Sequence, residues 1–340
     1  MRVTFYALSD STYFPAVVAL VNSLRLMGHT EEVVIGDSGL TPAQQEQLAH
    51  RCTIFPIPGE VGTVPTFRAG KTTPFCPLPK AKLKPFAYLL RPNGIVAIID
   101  SDMIVTASLQ ESINLAREGK ICGFVDPERD RHFAEWRYLF GLSQPLRQQP
   151  YITSSYVVFS TTHWPALLER WWRACEAIPS DRTMWQHAPN SDPIAQGDQD
   201  ALNAVLMTEI PQGALHFLTD EERPIGKGSR VRVVNSRVLS CTYEGHPVKL
   251  LHADGRHKPW IASSFLHVAN EPYVRLLRRL LVDPDLPLSV PAEQLPIWLR
   301  RGPGAVAALW CLSLFNAATH PITNNERCRR FLKRILKQGA

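Results

Sequence analysis

Apolar positions in the first two-thirds of the chain fall into short runs divided by polar turns, and the runs alternate in kind. Val3–Leu8 has the length of a strand. Asp10, Ser11 and Thr12 follow with helix N-cap chemistry, and the near-continuous apolar stretch Tyr13–Met27 predicts a buried helix ended by Gly28. Glu32–Ile35 predicts a second strand, residues 41–50 a helix capped by Thr41 with Pro42 at its first position, and Cys52–Ile57 a third strand. Prolines at 56, 58, 65, 74, 77 and 79 forbid regular structure over 56–79, and Lys80–Leu90 predicts a helix. The apolar strand Ile95–Ile99 stops at Asp100-Ser101-Asp102 and resumes as Met103–Val105. Further strands are expected at Ile121–Val125, Tyr156–Ser160, Leu215–Leu218, Val231–Leu239 and Val248–Leu251, with helices over 129–141, 162–177 and 199–208. Strands interleaved with helices imply an α/β sheet covered on both faces.

Composition narrows the class. A chain of 340 residues with 45% hydrophobic and 20% charged positions is neither disordered, collagenous nor coiled-coil, and can bury a sizeable core. No run approaches the ~18 apolar residues of a membrane span, and the start, MRVTFYALSD, reads as a strand rather than a signal peptide. The seven cysteines are scattered, with no C-x-x-C pair, which favours thiols in a reducing compartment. The expected location is therefore the cytoplasm.

The net charge of +6 is unevenly placed: 26 basic and 26 acidic residues precede Glu271, and 11 basic against 5 acidic follow from it. This divides the chain into a neutral body, 1–270, and a basic helical C-terminal extension, 271–340. A nucleic-acid-binding body would carry the charge itself, so no nucleic-acid partner is expected. In the extension, Cys328, Phe331, Leu332, Ile335 and Leu336 share one helical face flanked by six basic residues. Such a helix either packs on the body or lies in the plane of a membrane surface as a peripheral contact.

Three segments carry candidate chemistry. Asp100 and Asp102 lie two apart at the end of the most apolar strand, so both carboxylates can face one cation; the alternative is a solvated turn. His252-Ala-Asp-Gly255-Arg-His-Lys258-Pro-Trp260 follows the strand VKLL, with His252 at a strand end, Gly255 free to turn the backbone near a ligand, and Lys258 a point charge suited to phosphate. Each of these residues alone is an ordinary loop residue; together with the Asp pair they suit a divalent cation carrying a diphosphate. Gly197-Asp198-Gln199-Asp200 places Asp198 at a helix start, either as a cap or as a carboxylate facing the reacting centre.

Taken in order, ALSDSTY (7–13), KAKLKPFA (80–87), IIDSDMIV (98–105), GDQDALN (197–203) and HADGRHKPW (252–260) resemble the family 8 glycosyltransferases of GT-A fold, a likeness spanning roughly residues 1–270. The resemblance implies a Rossmann-like mixed sheet flanked by helices, a UDP-sugar donor, Mn2+ with Mg2+ as the alternative, and retention of anomeric configuration. It implies that Asp100, Asp102 and His252 ligate the metal and that Gly255 and Lys258 meet the diphosphate. Ala7, Ser9, Asp10 and Tyr13 would line the nucleoside pocket, Lys84 and Ser101 would lie by the donor, and Asp198 and Gln199 would face the transferred sugar. The acceptor would be a glycan or glycolipid, reached at the inner face of the membrane. Where the family has an Asn-x-Gly step touching the donor sugar, this chain reads Thr153-Ser154-Ser155.

The rival classes make different demands. A sugar-phosphate nucleotidyltransferase needs a glycine- and arginine-containing loop after the first strand, and SDSTYFP has neither. A dinucleotide oxidoreductase needs G-x-G-x-x-G/A after a first strand, whereas Gly302-Pro303-Gly304 comes late and follows WLRR. A noncatalytic nucleotide-sugar-binding protein would carry the same motifs and differ only in turnover.

Overall fold

The computed structural model describes residues 1–56, 94–126, 130–178, 191–219, 221–224, 230–253, 258–262 and 271–324, the last ten of these by backbone alone. The expected helix at 80–90, Lys84, Gly255 and the basic stripe at 325–338 lie outside the described residues.

A seven-stranded mixed sheet forms the centre. Its strands are β1 (Arg2–Ser9), β2 (Glu32–Asp37), β3 (Thr53–Pro56), β4 (Gly94–Ile99), β6 (Ile121–Val125), β7 (Ile152–Ser160) and β8 (Leu215–Leu218), in the order β3-β2-β1-β4-β7-β6-β8. Only β7 runs against its neighbours. β4 and β7 are buried along their whole length, as strands covered on both faces must be. One face packs on α1 (Phe14–Leu26), α3 (Gln110–Arg117) and α7 (Glu271–Val282); the other packs on α4 (Trp136–Leu139), α5 (Leu167–Glu176) and α6 (Asp198–Glu209).

Two smaller elements set the site. β5 (Met103–Val105) continues β4 after the Asp-Ser-Asp turn and pairs antiparallel with β12 (Leu250–His252), opposing His252 to Met103. β9 (Arg232–Asn235), β10 (Ser240–Tyr243) and β11 (His246–Pro247) form a separate antiparallel sheet.

Local chemistry explains most boundaries. Thr41 caps α2 (Pro42–Ala49) with a reciprocal capping box to Gln44, and Gly28 follows α1 at φ 83°, the left-handed conformation that glycine tolerates best. Three sequence expectations need correction. The helix expected over 129–141 shortens to α4, because Arg131 is committed to long-range bonds that hold the preceding segment irregular. The strand expected over Val231–Leu239 folds back after Asn235, whose side chain accepts the Arg237 N–H and closes a turn. β7 starts four residues earlier than its apolar run, because the Asn203 amide bonds both the N–H and the carbonyl of Ile152.

The change of charge at residue 270 is not a change of core. α7 buries Tyr273, Val274, Leu276, Leu277, Leu280 and Leu281 with the residues of α1, and Asn22 of α1 donates to the carbonyls of Leu280 and Leu288. α8 (Pro303–Asn324) follows and sets Ala305 and Leu312 inward. Among the described residues no helix is long and apolar enough to cross a membrane.

Candidate active site

The site lies at the carboxyl ends of β1, β4 and β6, where open α/β sheets bind ligands. The turn after β4 is fixed at its start: Asp100 N–H donates to the Ser155 carbonyl (2.8 Å), and Met103 N–H closes back on the Asp100 carbonyl. Pairing of β5 with β12 then delivers His252 beside it. His252 Nε2 lies 2.9 Å from Asp102 Oδ1 and 3.9 Å from Asp100 Oδ2. One potential ligand atom from each of Asp100, Asp102 and His252 falls within a span of 4.8 Å, so the three form a candidate metal cluster.

Asp102 is the buried member. Its second oxygen accepts from Lys258 Nζ (2.7 Å), its backbone carbonyl accepts from Tyr273 Oη (2.9 Å), and Lys258 also donates to the Ala253 carbonyl (2.6 Å). Burial alone would push the Asp102 carboxyl up; the His252 ring and the Lys258 ammonium more than offset it and hold this carboxyl well below the usual range. Asp102 is thus an ionised oxygen donor. Two carboxylates and an imidazole suit a divalent ion that accepts both oxygen and nitrogen ligands.

The residues expected at the nucleoside pocket sit together at the end of β1. Ala7 and Ser9 are buried in the strand, and Ser9 Oγ donates to the Asp10 carbonyl. Asp10 Oδ1 accepts the N–H groups of Thr12 (2.9 Å) and Tyr13 (2.8 Å), which shapes the turn into α1. Burial raises the Asp10 carboxyl, against those two N–H groups. The Tyr13 ring meets Trp260 edge-on, with centroids 5.5 Å apart, and so joins this turn to the segment that carries Lys258. Ser101 is buried in the turn between the two aspartates.

Gln199 reaches the same strand ends by another route. Gly197, not Asp198, is the residue preceding α6, and Asp198 is its first helical residue, so the cap reading of Asp198 does not hold. Gln199 Oε1 accepts from Ser154 N–H (3.3 Å), the neighbour of the Ser155 whose carbonyl holds Asp100. Gln199 Nε2 donates to Asp126 Oδ2 (3.2 Å) at the end of β6. Thr153 and Ser155, in place of the Asn-x-Gly step, share a hydrogen bond between their buried hydroxyls (2.8 Å).

Three residues of this region escaped the motif reading, and a fourth, Asp200, lay inside the GDQDALN segment with no role assigned to it. Asp126 could have been found, because it ends the predicted strand Ile121–Val125 just as Asp100 ends its own. Arg131 and Arg223 carry no spacing signal. Asp200 is fully buried and accepts Arg131 Nε (2.7 Å) and Nη2 (2.8 Å), Tyr151 Oη (2.7 Å) and Gln196 N–H (2.7 Å). Burial pushes its carboxyl up against the pull of those donors. Arg223 Nη2 lies 2.8 Å from His252 Nδ1.

The mixed sheet is shared with solved sugar transferases. The galactosyltransferase LgtC, in complex with donor and acceptor sugar analogues, matches with a TM-score of 0.51 at 17% identity, over 84% of this chain and 98% of that one. An active-site mutant of LgtC matches with a TM-score of 0.50 at 16% identity, over 86% and 98%. The chain has a GT-A-like fold. No protein-family model matches the chain, and no curated protein matches it in sequence.

Proposed function

We propose that this protein is a metal-dependent retaining glycosyltransferase of the family 8 type, moving a sugar from a UDP-sugar to a glycan or glycolipid hydroxyl. The observation that carries the reading is the convergence of Asp100, Asp102 and His252 at the carboxyl end of the central strands, in a fold shared with a galactosyltransferase.

In this reading Asp100, Asp102 and His252 hold Mn2+, which when bound offsets the charge that develops on the departing diphosphate. Asp102 gives up its contact with Lys258, whose ammonium then turns to the same diphosphate. Asp10, Tyr13 and the buried Ala7 and Ser9 shape the nucleoside end; Lys84 and Gly255, placed by the sequence resemblance, join the donor site. Asp198 and Gln199 face the anomeric carbon. The bond from that carbon to the diphosphate oxygen breaks, the acceptor hydroxyl oxygen bonds to the carbon, and the hydroxyl proton leaves with the diphosphate. Retention follows either through a covalent intermediate on a carboxylate, for which Asp198 is the candidate, or through same-face attack. The hydroxyl pair Thr153–Ser155 gives the donor pocket a different lining from the family pattern and bears on sugar choice. The basic stripe at 325–338 brings the enzyme to its acceptor at the inner face of a membrane, in keeping with a cytoplasmic chain.

The test is a screen of UDP-sugars with Mn2+, reading release of UDP, and repeated after chelation. Turnover of one donor that chelation abolishes supports the reading. Binding of UDP-sugars without turnover in the presence of any acceptor glycan or water would make the chain a noncatalytic binder instead.

A further inference from the structure

Arg223 stands beside the metal cluster, and among the described residues no carboxylate pairs with it. Its backbone is fixed by the residue before it: the Glu222 carbonyl accepts the N–H groups of Lys249 (2.7 Å) and Leu250 (3.2 Å), which lays the turn against the start of β12. From there the side chain reaches His252, with Nη2 2.8 Å from Nδ1. Arg223 is 3% exposed, and its Nε and Nη1 are buried with no hydrogen-bond partner among the described residues. A guanidinium stays charged in any protein environment, and burying that charge uncompensated is expensive. Two unfilled donors in a rigid planar fork match two oxygens of a phosphate group.

The contact with His252 also has a direction. A guanidinium can only donate, so Nδ1 accepts and Nε2 carries the ring hydrogen, which it gives to Asp102 Oδ1 at 2.9 Å. A cation bound through Nε2 requires that hydrogen on Nδ1 instead. Nδ1–H and the guanidinium would then be two donors facing each other, and the contact must break. Metal-ligating histidines ordinarily give this hydrogen to a carboxylate, carbonyl or water, and an arginine cannot take it.

We propose that Arg223 is a diphosphate-binding residue that exchanges His252 Nδ1 for a phosphate oxygen when a divalent cation binds His252. The inference rests on the nucleotide-sugar reading for the identity of the diphosphate, but not for the presence of an anion. It makes cation and diphosphate binding mutually supporting: the cation releases the guanidinium, and the diphosphate receives it.

The experiment is calorimetry on the full chain with Mn2+ alone, then with inorganic pyrophosphate and with UDP at saturating Mn2+. Arg223→Met keeps the stem and removes the charge. It should bind Mn2+ alone at least as tightly as the parent, and should bind both pyrophosphate and UDP about tenfold more weakly or worse. Arg223→Gln, neutral but still able to bond His252, should show the same loss of diphosphate affinity and serves if the Met variant does not fold. Affinities for pyrophosphate and UDP within about twofold of the parent in either folded variant overturn the proposal. So does an equal loss of Mn2+ binding without diphosphate, since Arg223 would then merely support His252. A parent protein that binds pyrophosphate with Mn2+ but not UDP removes the nucleotide-sugar reading while leaving the role of Arg223 standing; one that binds neither overturns both.

Discussion

Arg131 and Asp200 form a two-pronged ion pair, Nε to Oδ1 at 2.7 Å and Nη2 to Oδ2 at 2.8 Å, with the aspartate wholly enclosed. Arg131 also holds the Asp192 carbonyl, and Asp200 accepts the Gln196 N–H, so the pair spans the segment that leads into α6. Asp198 and Gln199 follow that segment as the first two residues of α6. Removing one partner leaves a buried charge uncompensated, so Arg131→Met and Asp200→Asn should each destabilise by about 3–5 kcal/mol in urea denaturation. The double variant should recover part of that loss. Additive losses would mean that the two residues act separately.

Asp198→Asn tests the proposed role of Asp198 at the reacting centre. Gly197 precedes the helix, and the backbone carbonyl of Asp198 accepts from Trp171 Nε1 (2.9 Å). The substitution is isosteric and leaves that contact in place, and urea denaturation of the variant separates a loss of stability from a loss of chemistry. Donor hydrolysis should fall by about 10²-fold or more with UDP affinity unchanged, as befits a carboxylate acting on charge that exists in the transition state. Normal kcat in a stable variant would remove Asp198 from the chemistry.

What the motifs disclosed and what they left hidden separates along physical lines. Asp100 and His252 were legible because each ends an apolar run, and strand ends are where an α/β sheet presents its ligands. The order β4, Asp-Ser-Asp, β5 was equally plain from the interruption of one apolar run. The partner of β5 was not: its pairing with β12 joins residues about 150 apart, and nothing local encodes that register. Arg131 is the clearest loss. Its surroundings carry helical periodicity, but a buried carboxylate 69 residues away commands its side chain, and the tertiary bond outweighs the local preference.

His29 makes stability depend on pH. Its Nε2 accepts the Leu109 N–H at 3.0 Å, which anchors the start of α3 to the end of α1, and Nδ1 lies 3.3 Å from a Glu31 carboxylate oxygen. Burial lowers the pKa of this ring; Glu31 works against that and Arg25 with it. The folded chain therefore holds fewer protons here than the unfolded chain once pH falls below the ordinary histidine value of about 6.5, and stability declines from there until the folded ring itself titrates. Thermal melts between pH 7.5 and 5.5 should show the decline. His29→Gln, whose carbonyl can still accept from Leu109, should melt with a flatter pH profile over that window, whereas His29→Ala should lose about 1–3 kcal/mol at neutral pH by orphaning a buried N–H. An unchanged slope in the Gln variant would assign the pH dependence elsewhere.

The last prediction concerns the outer face of α8. Ala305 and Leu312 turn inward, while Val306, Trp310 and Leu314, four residues apart, stand 55%, 64% and 50% exposed on the opposite side. A tryptophan left in water on a helix is unusual unless something apolar meets it. Arg300 and Arg301 stand just before this helix, and six basic residues follow within 325–338. An apolar stripe in a stretch of sequence this rich in basic residues fits the surface of an anionic bilayer, where each basic residue contributes about 1 kcal/mol and the buried side chains add to it. Full-length protein should co-sediment with phosphatidylserine vesicles at low salt and release as salt rises. Trp310→Ser should weaken that binding, and deletion of the last sixteen residues should weaken it further, with hydrolysis of the donor in solution retained in both. Indifference of the full chain to anionic vesicles at low salt would mean that this face meets no membrane.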